Sequence, residues 1–118
     1  MNGPFTEADW QIFRRYNKSM LEELTDRINR ESMAILEDTG QTEHEIFLKL
    51  YRHIHDSNQI VADCFDGWRR SRMGMHGAAL LVHGLIPQEM WDKLSPSARG
   101  ALEGPAALVS SGSGDRSD

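Results

Sequence analysis

The sequence predicts an all-α fold: an antiparallel hairpin of two long helices, followed by a third helix and two short C-terminal ones. Three observations carry that expectation. Two long stretches, from Thr6 to Gly40 and from Thr42 to Gly67, have no Pro or Gly in their interiors. Their apolar residues recur at helical spacing rather than in alternation. Each stretch opens on a Thr with an acidic residue three positions later, the start signal of a capping box.

The first helix is expected from Thr6 to Gly40. Asp9 is a less favoured partner for the Thr6 cap than Glu or Gln, but Phe5 and Trp10 have the spacing of a hydrophobic staple. Trp10, Phe13, Met20, Leu21, Leu24, Ile28 and Ile35 fall on one stripe at ~100° per residue. Asp38-Thr39-Gly40 reads as the stop. Such a helix would be about 48 Å long.

The second helix begins at the Thr42–Glu45 pair and ends or kinks near Gly67. Its stripe is Ile46, Phe47, Leu50, Ile54, Val61, Cys64, Phe65 and Trp68. The connection is short, so the two helices should return antiparallel. Arg69 to Leu85 reads as a third helix, weakened by Gly74, Gly77 and Gly84 but able to pack closely through them. Pro87 to Leu94 and Pro96 to Glu103 read as two short helices opening on Pro, with Gly104 as stop. Residues 1–104 thus form one helical domain, and 105–118, rich in Gly and Ser, reads as a flexible tail.

The formal net charge is −5 and the hydrophobic content 39%, values suited to a folded soluble domain rather than a general polyanion binder. Charge is uneven along the chain. Residues 1–40 hold five basic and eight acidic side chains, 41–66 two and five, and 67–104 five and three. A two-signed molecule suits association with a partner or with itself. Cys64 is the single cysteine, no run approaches the ~18–20 apolar residues of a membrane span, and MNGPFTEADW lacks a secretory pattern. These features point to the cytoplasm and to no membrane partner.

Candidate chemistry is sparse. His53 and His55 stand ~200° apart on a helix, and His76 and His83 are ~10 Å apart along one, so neither pair can share an ion. An interhelical metal site from His53 with His76 or His83 and Asp56 or Cys64 is the most distant alternative. No metal, cofactor or catalytic residue is expected. Cys64 lies on an apolar stripe, where a thiol is inert. No nucleophile elbow or phosphate-binding glycine loop is present.

Two interaction readings follow. In the first, the protein is a non-enzymatic regulatory or adaptor protein acting through helical protein–protein contacts, as a homodimer with a four-helix arrangement. Asn17 and Glu31 share a seven-residue spacing with Trp10 and Leu24, and a polar residue in such a seam sets register and partner. Trp10, Leu24 and Trp68 are the expected anchors, with the stripe of the first helix as contact surface. Ile12, Tyr16, Met33, Leu48 and Ile60 lie off the main stripes. The alternative is a nucleic-acid-binding regulator. It would use Arg69, Arg70 and Arg72 at the end of a recognition-type helix from Ser57 to Arg72, although Asp63 and Asp66 flank the cluster. The same arginines could instead cap the C-terminal end of the second helix.

Overall fold

The computed structural model describes residues 3–104. It is all-α, with helices α1 (Glu7–Leu36), α2 (Glu43–Phe65), α3 (Met73–Val82), α4 (Gln88–Lys93) and α5 (96–104), and a 3₁₀ turn at Arg70–Arg72. The expected tail, 105–118, lies outside the described residues.

The start of α1 follows from its cap. Thr6 Oγ1 accepts from the Asp9 N–H at 3.1 Å, and Asp9 Oδ2 accepts from the Thr6 N–H at 2.9 Å. Asp therefore completes the box that Glu or Gln usually closes. Phe5 and Trp10 are both buried beside it. The helix ends at Leu36, about one turn before Gly40. There the Asp38 carboxylate accepts from the Gly40 N–H and from Gln41 Nε2, a local hydrogen-bonding alternative to continued helix.

Thr42 and Glu45 form the second capping box. α2 stops at Phe65, and Gly67 turns the chain with φ +67°. His53 meets α1 at Ile28, and farther along the chain Trp68 meets Phe13 and Trp10. The pairing positions run in opposite senses, so α1 and α2 are antiparallel.

The third expected helix is shorter than Arg69 to Leu85. Its first residues form the 3₁₀ turn, and α3 ends at Val82 in a Schellman motif. Gly84, at φ +65°, donates to Leu81 O, and Leu85 donates to Leu80 O at 2.9 Å. Gly84 is thus the terminator of the helix rather than a weak point inside it. From α1, Arg27 donates to the carbonyls of His83 and Gly84 at 2.7 and 3.0 Å. It satisfies helix-end acceptors that would otherwise lack partners.

The core occupies one end of the hairpin. Trp10, Phe13, Met20 and Leu24 of α1 pack with Cys64, with Met73 and Leu80 of α3, and with Met90, Leu94, Ala98 and Leu102 farther on. Gly77 allows the closest approach. A Cβ there would lie 2.5 Å from Leu102 Cδ2 and 3.2 Å from Phe13 Cζ. Ile12, Tyr16 and Ile60, off the expected stripes, pack partly buried against this core.

Candidate interaction surface

Helical geometry gives α2 two apolar rows. Ile46, Ser57 and Cys64 are buried and lie on one side. At about 100° per residue, Phe47, Tyr51, Ile54, Val61 and Phe65 make a second row roughly a quarter turn away. Among the described residues, only the lower part of this second row is covered. Val61 and Phe65 pack against the core, where α3 and Trp68 meet them; the Phe65 and Trp68 rings stack at 6.1 Å. α3 has only ten residues and ends at Val82. Above its level Phe47 is 63% exposed, Tyr51 63%, Ile54 45% and Leu48 42%. The Tyr51 and His55 rings stack at 6.2 Å with 19° between their planes. At the far end of α1, Met33 and Leu36 are also exposed.

The expected contact surface was the stripe of the first helix, but that stripe is largely core. Trp10 and Leu24 are buried, and Trp68 is half-buried with its Nε1–H donating to Cys64 O at 2.7 Å. Trp10, Asn17 and Trp68 come together with Arg14 around a shallow cleft of about 400 Å³. Glu31 is exposed to solvent at the thin end of the hairpin, away from that cleft. Trp10 Nε1 is buried without a hydrogen-bond partner among the described residues.

The three arginines do not end a recognition-type helix, because α2 stops at Phe65 and they follow it in a separate turn. They also diverge. Arg70 donates to both Glu7 carboxylate oxygens, at 2.7 and 2.9 Å, and lies over the Trp10 ring at 5.5 Å. The Arg70 hydrogen bond is the main reason the Glu7 carboxyl is lowered to about 2. Arg69 borders Trp10 and Trp68. Arg72 lies on an open groove of about 650 Å³ between α2 and α3, whose lining also includes Asp63, Asp66 and His83.

His76, His53 and Cys64 are engaged structurally. His76 is 3% exposed, with Nε2 at 2.6 Å from Asp66 O and Nδ1 at 3.1 Å from Arg72 O. His53 Nε2 lies 3.1 Å from Ile28 O. Burial, with a smaller effect of Asp63, pushes the Cys64 thiol up to about 11. Among the described residues, no three of His, Cys, Asp and Glu come together in a way that could hold an ion.

Periodicity places Phe47 and Ile54 on the apolar stripe of α2, and nothing in their residue types distinguishes them from buried neighbours. The one available signal was width. The stripe read from α2 spans more of the helix than α1 alone can cover. No known protein family matches the chain, and no match was found among curated proteins or solved structures.

Proposed function

We propose that this is a small regulatory or adaptor protein that performs no reaction of its own and acts through helix–helix contacts with another protein. One observation supports the reading above the others. Phe47, Leu48, Tyr51 and Ile54 project from one half of α2, and no described residue covers them. Single exposed apolar residues are ordinary, but a contiguous group on one helix face is the usual form of a helix-docking surface. The contact face in this reading is α2 rather than the Asn17 and Glu31 positions of α1. The buried free thiol of Cys64 fits a reducing cytoplasm. No described helix is long and apolar enough to cross a membrane. The nucleic-acid alternative has weaker support, because Arg70 is committed to Glu7.

The test is a photo-reactive amino acid at position 51 of the full chain, expressed in the cell of origin. A covalent adduct heavier than the chain itself is expected, and it should be lost when Phe47→Glu is added. If irradiation gives no protein adduct at 51, or gives one unaffected by Phe47→Glu, the reading fails.

A further inference from the structure

We infer that the exposed face of α2 pairs with the same face of a second copy, the two α2 helices lying antiparallel about a two-fold axis at Tyr51. The inference rests on reading that face as a contact surface, and it names the partner. A two-fold contact requires a surface that is its own complement. Counted outward from Tyr51, the face meets this requirement. The aliphatic Leu48 and Ile54 lie three residues to either side, the rings of Phe47 and His55 four, and the polar His44 and Asn58 seven. Antiparallel pairing sets Leu48 against Ile54 of the second copy, Phe47 against His55, and His44 against Asn58. Leu48 thus meets an aliphatic group, Phe47 a flat ring that is smaller and more polar, and His44 a polar amide.

Charge supports a second copy as well. Between His44 and Asn58 this face carries no Asp, Glu, Lys or Arg. At ~100° per residue, Lys49 and Asp56 point to the other side of α2, and Glu45 and Arg52 lie on its flank, about 120° and 100° from Tyr51. Two copies of a chain with net charge −5 can therefore meet here without opposing like charges.

The area limits the strength. Two aromatic and two aliphatic side chains at these exposures offer on the order of 400 Å² per copy, half of the ~800 Å² per partner of a standard stable interface. The dimer is accordingly a weak one in rapid exchange.

Cysteine cross-linking tests the geometry directly, because Cys64, the only native cysteine, is fully buried. The full chain carrying Tyr51→Cys should form a disulfide dimer under mild oxidation at about 100 μM. Lys49→Cys, exposed and about 160° around α2 from Tyr51, should form at least fivefold less. In an equimolar mixture, Leu48→Cys should cross-link to Ile54→Cys faster than either cross-links to itself. Preferential Leu48–Leu48 and Ile54–Ile54 linkage would mean parallel pairing and overturn the proposal. So would the absence of a Tyr51→Cys dimer together with a monomer by sedimentation at that concentration. If the photo-reactive residue at 51 still captures a different protein, this inference fails and the wider reading stands. If it captures nothing, both fail.

Discussion

Asp9 and Ser95 tie the two ends of the described chain together. One Asp9 oxygen accepts from the Ser95 backbone N–H at 2.9 Å and the other from its hydroxyl at 2.7 Å, across 86 positions of sequence. The same carboxylate closes the Thr6 box of α1, while Ser95 Oγ accepts from the Ala98 N–H at the start of α5. One buried carboxylate thus organises the starts of two helices. Its removal leaves several polar groups without partners in a site that is 1% exposed. Asp9→Ala should lower stability by about 2–4 kcal/mol, and Asp9→Asn by roughly half as much. Urea unfolding followed by circular dichroism measures both. A loss below ~0.5 kcal/mol for Asp9→Ala would rule out this role.

Acid should weaken the fold in a defined direction. Burial disfavours the charged form of Asp9, but the hydrogen bonds from Thr6 and Ser95 outweigh it and hold the carboxyl below the usual value of 3.8. Glu7, lowered to about 2 mainly by its hydrogen bond from Arg70, acts in the same direction. A carboxyl depressed on folding contributes stability above its unfolded pKa and loses it as pH falls through the folded one. The midpoint of thermal unfolding should therefore hold from pH 7 to about 5 and decline below about 4. Asp9→Asn should show a shallower decline over that interval. Equal slopes for the two proteins would contradict the assignment.

Two glycines of α3 should respond in opposite ways to alanine. At Gly77 an added methyl would meet Leu102 and Phe13, both fully buried and unable to retreat. Gly77→Ala should cost about 1–3 kcal/mol. At Gly74 the nearest atom is Phe5 Cε2 at 3.4 Å, an ordinary contact. Gly74→Ala should be neutral or stabilise by up to ~1 kcal/mol through helix propensity. Paired denaturation curves decide the point.

Charging the exposed face of α2 should leave the monomer intact. Phe47→Glu and Tyr51→Glu replace side chains that are 63% exposed, and each should change stability by no more than ~0.5 kcal/mol. Phe13→Glu, at a residue 1% exposed, should prevent folding, because an unpaired charge would enter the core. Large destabilisation by Phe47→Glu would mean that the face is core after all.

The Cys64 thiol should be unreactive in the folded protein. It is fully buried, and its pKa is pushed up to about 11. Little thiolate forms at pH 8, and reagent has no path to it. Reaction with an aromatic disulfide should proceed only through opening of the structure and should accelerate with urea. A rate equal to that of the unfolded chain without denaturant would refute this burial.

Much of the architecture is legible in local residue types. The capping boxes at Thr6 and Thr42, the turn at Gly67 and the Pro-led short helices act over a few residues, so their chemistry can be read in order along the chain. The errors lie where distant groups intervene. Gly84 reads as a defect in a helix until Leu85 N–H and Leu80 O are seen to close around it. The arginines read as a cluster until Glu7, 63 positions away, takes Arg70.

The all-α class, the hairpin and the starts of its two helices follow from periodicity and capping, which are short-range and repeat at every turn. Which apolar residues are core depends on packing between distant elements. α1 and α2 carry similar apolar rows along their lengths, but the three shorter helices gather at one end. Periodicity records that a face is apolar and contains nothing about how far its cover extends. The ten-residue length of α3 and the Schellman stop at Gly84 set that limit, leaving Phe47, Leu48, Tyr51 and Ile54 outside the core.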